Sequence, residues 1–426
     1  MTRSLRQMTE SIAGFDVESL RVEIAQQAIA RCIQTISHTD RVPLKQALGR
    51  TLASDITAPI NVPSYNNSAM DGYAFRGADL KPGDTTLQIV GKAFAGHAHT
   101  KLVNTGECVR IMTGGLMPRG CDSVIPQELV TVVNDQTIRF ASATIKPGVN
   151  VRLAGEDLSV GETVLRRGRL ITPSDLGVIA SLGVAELSVT RKLKVAFFST
   201  GDELRSIGQV LDEGCVYDSN RYTLQAMLDR AGFDAIDFGV VCDDPSALEK
   251  TLRDACSEAD AVITTGGVSA GDADYTRALM ARLGEVMFWK IAMRPGRPMA
   301  FGQLKVDGKN TVFFGLPGNP VAVMATFYFF AREALLRLQG TTPNQLPMVR
   351  AISTDLIRKR PGRTEYQRGV LTYDTHGNAH VRLTGAQGSG ILSSMSDANC
   401  MVVLAHDEAD IQAGESVIAI PFTGLI

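Results

Sequence analysis

The sequence predicts a multidomain protein of α/β plus β class. An α/β domain with a mostly parallel sheet is flanked by an N-terminal helical and β region and a C-terminal β module. Three observations carry that expectation. Apolar strand-like runs alternate with helix-like segments from residue 193 to 338, the pattern of repeated βα units whose strands are covered on both faces. Short β-like runs broken by Gly, Pro, Asn and Asp turns fill residues 55–146 and return after 348. A chain of 426 residues also exceeds one ordinary core and divides into about two to four domains.

Composition narrows the function classes. Hydrophobic residues make up 44% and charged residues 21%, as in a soluble globular protein. A net charge of −2 argues against a nucleic-acid coat or a polybasic membrane binder. No run approaches the ~18 apolar residues of a membrane span, and residues 1–14 lack the apolar centre of a signal peptide. The seven cysteines are odd in number and scattered, with no Cys-x-x-Cys pair. Reduced thiols in a cytoplasmic protein are expected, not a disulfide frame or a zinc site. His97 and His99 are the histidines nearest each other in the sequence, and no cysteine or carboxylate accompanies them as a metal ligand.

Taken in order, Leu20, Ile24, Ala28, Ile29 and Ile33 recur at helical spacing and predict an amphipathic helix over 17–37. Residues 43–53 offer a second, short helix. Strands are expected at 87–90, 108–111, 123–126, 130–133 and 137–140. Thr172 and Pro173 open a helix over 173–182 as cap and first residue. Strand and helix then alternate: 194–199 with 220–231, 235–241 with 245–257, and 261–265 with 275–283. Strands at 286–292, 299–304 and 311–315 follow, and a long apolar helix over 321–338. The expected domains are 1–54 with 147–188, 55–146, 189–340 and 341–426.

One stretch is the most informative. The strand at 261–265 ends in Gly266-Gly267, and Asp272 and Asp274 follow just before a helix. A buried strand running into a glycine turn and a helix start presents backbone N–H groups to an anion. Carboxylates in the same loop suggest a divalent cation against the phosphate. Asp202 and Glu203, in Ser199-Thr200-Gly201-Asp202-Glu203-Leu204, read either as a solvated turn or as cation ligands. The second reading is favoured because each strand exit carries acids, Asp243 and Asp244 among them, and a parallel sheet brings those exits to one edge. Lys290, Arg294 and Arg297 form a basic, proline-stiffened turn, read as a solvated loop or as guanidinium forks on an oxyanion. In Leu316-Pro317-Gly318-Asn319-Pro320, Asn319 and Pro320 suit a helix cap and first position, while Pro317-Gly318 adds a rigid turn at the same edge. Asp71-Gly72, Thr113-Gly114, Gly155-Glu156-Asp157, Gln367-Arg368-Gly369 and the hydroxyl cluster at 393–396 stay undecided between structure and binding. No Ser-His-Asp order, P-loop lysine or Gly-x-Gly-x-x-Gly fingerprint is present.

Read together, these segments resemble the MoeA-type molybdopterin molybdotransferases and the related C-terminal domain of gephyrin. The matching text is Asn67-Ser68-Ala69-Met70-Asp71-Gly72-Tyr73-Ala74, Arg110-Ile111-Met112-Thr113-Gly114, Gly155-Glu156-Asp157 and Ser199 to Leu204. It continues with Tyr217-Asp218-Ser219-Asn220, Gly266-Gly267-Val268-Ser269, Gly271 to Thr276, Pro295-Gly296-Arg297-Pro298, Leu316 to Pro320 and Gln367-Arg368-Gly369. Each is weak alone, but their order along nearly the whole chain is specific.

The resemblance implies a four-domain homodimer whose molybdopterin-binding α/β domain carries the ligand. It implies that molybdate is inserted into adenylylated molybdopterin with release of AMP and the aid of Mg2+. Asp202, Glu203, Asp274 and Asp71 match catalytic positions, and Asp202, Glu203, Asp244 and Asp274 a metal-holding set. Ligand-binding positions match Gly266, Gly267, Ser269, Lys290, Arg294, Arg297, Pro317, Pro320, Arg368 and Ser394. Asp71, Thr113 and Asp157 match positions contributed across the dimer. The family often has Lys where this chain has Arg294 and Arg297; charge is kept but hydrogen-bond geometry changes. The implied partners are a molybdopterin adenylyltransferase and molybdoenzyme maturation proteins, with neither nucleic acid nor membrane. Two rival classes are an adenylyltransferase, which needs only the α/β domain, and a peptide-binding scaffold of gephyrin type.

Overall fold

The computed structural model describes residues 4–267, 273–343 and 345–425, the side chains of 273–276 excepted. The chain forms two compact units, one of Arg41–Leu48 with Ser54–Ser188, the other of the remaining residues.

The unit of Arg41–Leu48 and Ser54–Ser188 is built on a six-stranded sheet in the order Ser123–Pro126, Gly72–Phe75, Glu107–Ile111, Asp84–Ala93, Thr137–Ala141, Thr131–Asn134. Apolar residues on both faces bury it. Tyr73, Phe75, Leu87, Ile125, Ile138 and Phe140 pack on one side, and Ala74, Val109, Ile111 and Val124 on the other. The helix Pro173–Ser181 starts where its residues dictate. Thr172 accepts from the Asp175 N–H, Asp175 accepts from the Thr172 N–H, and Pro173 fills the first turn, where no N–H is needed. The helix expected over 43–53 shrinks to a single 3-10 turn, Leu44–Gln46, and Gly49 at φ +71° turns the chain out of it.

In the other unit the α/β core has strands β1 (Lys194–Thr200), β2 (Asp234–Val241), β3 (Ala261–Thr265), β4 (Gly284–Lys290), β5 (Pro298–Val306) and β6 (Lys309–Leu316), in the sheet order β2-β1-β3-β6-β5-β4. The first four in that order are parallel, while β5 and β4 add antiparallel. The expected mostly parallel sheet therefore stands. Helix α1 (Ser219–Arg230) packs Leu224, Met227 and Leu228 on one face, and α2 (Pro245–Glu258) packs Leu248, Leu252 and Ala255 on the other. Helix α3 (Ala273–Leu283) joins α2 through Leu279 and Leu283. The long apolar helix is present but not uniform: α4 (Pro320–Thr326) passes through a π-helical stretch, Phe327–Ala331, before Arg332–Leu338. The Thr326 hydroxyl donates back to the carbonyls of Ala322 (2.7 Å) and Val323 (3.1 Å), which competes with the regular ladder at the point where it loosens.

The first amphipathic helix runs over Val22–Cys32, shorter than its periodicity suggested. Tertiary pairing claims both flanks. Lys290 N–H donates to the Val17 carbonyl, Leu20 N–H to the Lys290 carbonyl, and Ile36 N–H to the Leu338 carbonyl. The C-terminal β module closes on itself. Thr364–Tyr373, Ala379–Leu383, Val349–Ser353, Ser416–Pro421 and Cys400–Leu404 follow in order, and the last strand pairs back to the first.

An ion pair ties the start of β1 to the start of β3. Arg191 donates to both oxygens of Asp260, at 2.7 and 2.6 Å, and the Lys194 N–H adds a third bond at 3.0 Å. Burial pushes the Asp260 carboxyl up, but these donors and the Arg191 and Lys309 charges outweigh it, so the net shift is downward. A depressed pKa contributes stability above the unfolded-state value and loses it as pH falls through the folded value. Asp260→Asn is expected to cost about 2–4 kcal/mol at pH 7, since it strips a partly buried guanidinium of its partner. In denaturant titrations the gap to the parent protein should narrow below about pH 4, where the unfolded-state Asp protonates. A gap independent of pH between 7 and 2 would show that the pair does not act through charge.

Candidate active site

Register decides what shares an edge. Ser199 lies opposite Thr265, and Thr265 opposite Leu316, so β1, β3 and β6 end together. β5 runs the other way and β4 reverses again, so Lys290 at the end of β4 faces Pro298 at the start of β5 on that same edge. The topology therefore gathers Gly201–Glu203, Asp243–Asp244, Gly266–Gly267, the Lys290–Pro298 turn and the Leu316–Pro320 turn at the carboxyl edge of the sheet. Ligands of open α/β sheets bind at that edge.

Its centre is the glycine pair. Gly266 has φ +86° and Gly267 φ +64°, a conformation that carries little penalty only for glycine. The Gly266 N–H donates to the Leu316 carbonyl at 3.2 Å. A Cβ at Gly266 would lie 2.5 Å from the Thr200 carbonyl oxygen, so the backbone passes too close for any side chain. Beneath it the Ser199 and Thr265 hydroxyls join across the strands at 2.9 Å, fully buried.

The acids are partly brought together. Asp202 Oδ1 accepts the Asp243 N–H at 3.1 Å, which links the loops after β1 and β2. Asp244 caps α2, accepting the Ser246 hydroxyl at 2.5 Å and the Ala247 N–H at 2.8 Å. Those bonds, the Ser246 hydroxyl foremost, hold its carboxyl below the usual range. Glu203 folds its carboxylate against Gly201, where a Cβ would meet Oε2 at 2.6 Å. Ser269, Asp272 and the Asp274 side chain lie outside the described residues. Among the described residues, no three His, Cys, Asp or Glu side chains form a metal-holding group.

The cations separate by role. Lys290 Nζ is ion-paired with Glu18, a residue that no sequence pattern linked to it. Arg294 and Arg297 are exposed, and among the described residues neither side chain makes an ion pair. Met293–Arg294 is not a loop, as the sequence suggested, but a two-residue strand that pairs in parallel with Thr364 and Glu365. Arg368 is fully buried. It donates to Ser394 Oγ (2.9 Å) and to the carbonyls of Gln387 (3.2 Å), Ala386 (3.1 Å) and Gly388 (3.0 Å). Burial, with the Arg294 charge adding to it, lowers its pKa to about 10. Arg294, Arg368, Gln367 and Gln387 line one pocket of about 300 Å3.

The Leu316–Pro320 turn is held from two sides. Asn319 takes the cap position of α4, but its side chain makes no capping bond, contrary to its expected role. The helix start is served instead by the Ser389 carbonyl, which accepts the Val321 N–H at 3.1 Å. On the other side Asn220 Nδ2 donates to the Gly318 carbonyl at 2.7 Å. Asn220 ends the Tyr217-Asp218-Ser219-Asn220 segment, and nothing in its sequence neighbourhood signals this contact.

In the unit that holds residues 54–188, Asp71 Oδ1 accepts both the N–H and the hydroxyl of Thr113, each at 2.8 Å. Those two bonds hold its carboxyl below the usual range. Asp157 is exposed, and its N–H donates to the Val62 carbonyl at 3.0 Å.

Three family models match the chain in sequence order. They are the MoeA N-terminal region (domain I and II) over residues 20–183, a probable molybdopterin binding domain over 196–337, and the MoeA C-terminal region (domain IV) over 350–422. The chain belongs to the MoeA family. A molybdopterin molybdenumtransferase of Haemophilus influenzae is 43% identical over 391 residues, 92% of this chain and 95% of the relative. One from Nostoc is 34% identical over 393 residues, 90% and 88% of the two chains. The solved MoeA structure from Pyrococcus horikoshii OT3 superposes with a TM-score of 0.81 at 30% identity, covering 95% of this chain and all of that one. The expected fold class and the transferase class of molybdenum cofactor biosynthesis both stand with these MoeA relatives. No described helix of this MoeA chain is long and apolar enough to cross a membrane.

Proposed function

We propose that the chain inserts molybdate into adenylylated molybdopterin, releasing AMP and molybdenum cofactor in a Mg2+-dependent reaction. The observation that carries the reading is the single edge of the sheet. The glycine cradle at Gly266–Gly267 stands there with Asp202 on one side and the exposed Arg294 and Arg297 on the other. The positive-φ glycine pair lets a ligand's phosphate approach the backbone without a Cβ in the way. Guanidinium forks suit a tetrahedral dianion such as molybdate. The oxygen donors of Asp202, Glu203 and Asp244 fit Mg2+ in kind. Mg2+ leans on one or two carboxylates plus substrate phosphate and keeps several waters. That matches the loose pair of loops joined at Asp202, with one Asp244 oxygen already spent as a cap. Asp202 and Glu203 would hold the Mg2+, whose charge would offset that of the pyrophosphate and polarise the bond that is cleaved.

The reading extends to a cytoplasmic homodimer in which Asp71, Thr113 and Asp157 of one copy serve the carboxyl edge of the other. The order of the shared motifs supports this part. The substrate then comes from a molybdopterin adenylyltransferase, and the product goes to molybdoenzyme maturation proteins.

The roles of the cations are testable. Arg297→Ala should remove charge-assisted hydrogen bonds worth roughly 1.5–3 kcal/mol. The molybdate concentration needed for half-maximal turnover should rise about tenfold to a hundredfold. Binding of the adenylylated pterin should change little, and excess molybdate should restore the rate. Loss of pterin binding that molybdate cannot rescue would move these cations to the phosphates.

A further inference from the structure

We infer that Asn220 is a positioning residue of this edge: it ties the Pro317–Gly318 turn to the start of α1 and so fixes the wall opposite the glycine cradle. The inference rests on the proposed ligand edge and gives it a support that none of the charged residues supplies.

Asn220 is the second residue of α1, whose cap is Asp218. It is 7% exposed, and Asp218 beside it is 1% exposed, so both side chains are packed inside although they stand at a sheet edge. The bond from Nδ2 to the Gly318 carbonyl fixes which arm of the amide is which, because a carbonyl accepts only from the NH2 group. Oδ1 is then a buried acceptor with no partner among the described residues. A buried amide with one arm used and one arm unpaired is not explained by packing, since an apolar residue of the same shape would avoid the cost.

The geometry of the turn explains the used arm. Pro317 is buried and Gly318 exposed, so the turn carries its apolar corner inward and its carbonyl toward α1. A Cβ on Gly318 would come within 3.9 Å of the Gly266 Cα, so this turn is the neighbour that bounds the cradle. The Gly266 N–H is itself bonded to Leu316, the residue that opens the turn. From the far side the turn is held through α4 by Ser389, on the loop that Arg368 clamps. Removing the Asn220 bond leaves the turn held only at its two ends, by the Gly266–Leu316 bond and by Ser389.

The test uses the full-length protein and two variants. Asn220→Asp keeps two acceptor oxygens but cannot donate to Gly318. Asn220→Leu keeps the volume and loses both functions. Hydrogen exchange without ligand is expected to accelerate at least tenfold over residues 316–323 in both variants, with exchange elsewhere unchanged. In molybdate-dependent AMP release, the KM for adenylylated molybdopterin should rise about tenfold for Asn220→Asp and further for Asn220→Leu. The molybdate requirement should stay as in the parent protein. Unchanged exchange over 316–323, or a loss of kcat and thermal stability with KM unmoved, would overturn the inference. If the parent protein itself fails to release AMP, the functional reading fails. The exchange result still decides the role of Asn220.

Discussion

Gly266→Ala is expected to reduce molybdate-dependent AMP release at least a hundredfold while leaving a folded protein. Two costs combine. The backbone at φ +86° disfavours any Cβ by about 1–3 kcal/mol. The new methyl would also stand 2.5 Å from the Thr200 carbonyl oxygen and 2.9 Å from its hydroxyl. Neither neighbour is the free end of a flexible chain, so the ends of β1 and β3 must separate. A displacement of about 1 Å at a positioned site costs on the order of a hundredfold in rate. Gly177 supplies the control. It lies inside the helix Pro173–Ser181, where an added Cβ would meet nothing within 4 Å, and alanine there should stabilise by about 0.5–1 kcal/mol without touching activity. Parent-like turnover by Gly266→Ala would remove the glycine cradle from the site.

Arg368→Ala should be the most destabilising single change at the site, by about 3 kcal/mol or more. Arg368 is wholly buried, and the substitution removes the guanidinium donor from the carbonyls of Ala386, Gln387 and Gly388 and from the Ser394 hydroxyl, with only Gly388 keeping another donor, the Ile391 N–H. Arg368→Lys should recover little, because a lysine ammonium cannot reproduce the planar fork that reaches four acceptors. Since the loop it clamps also presents Ser389 to the start of α4, loss of stability should come with weaker ligand binding. Thermal unfolding and adenylylated-pterin titration together check this. A stable Arg368→Ala protein with impaired molybdate use alone would instead make Arg368 a direct oxyanion ligand.

The two predictions differ in what a reader of the sequence could have seen. An apolar run into Gly266-Gly267 announces a glycine turn after a buried strand, because local residues alone determine it. The gathering of Asp202, Asp243 and Asp244 was also legible, since parallel strands bring their exits to one edge. The fate of individual side chains was not. Lys290 and Glu18 stand 272 positions apart, and nothing in either segment marks them as partners. Asn319 has the right residue type for a cap, but the Ser389 carbonyl reaches the helix start instead. Arg368 stays undecided between structure and binding in one dimension and is a buried clamp in three. Helix length failed for the same reason: periodicity over 17–37 is real, yet strand-like pairing of Val17 and Leu20 with Lys290 takes the first turns away. Local chemistry is written in adjacent residues, whereas long-range pairing decides which of several satisfied states each one adopts.

Incubation of the purified chain with adenylylated molybdopterin, with AMP followed over time, decides whether it inserts molybdate. AMP should appear together with molybdenum cofactor in equal amounts. Release should require both molybdate and Mg2+, and chelation of the metal should stop it. AMP release indifferent to molybdate, or consumption of ATP in place of AMP production, would contradict molybdate insertion.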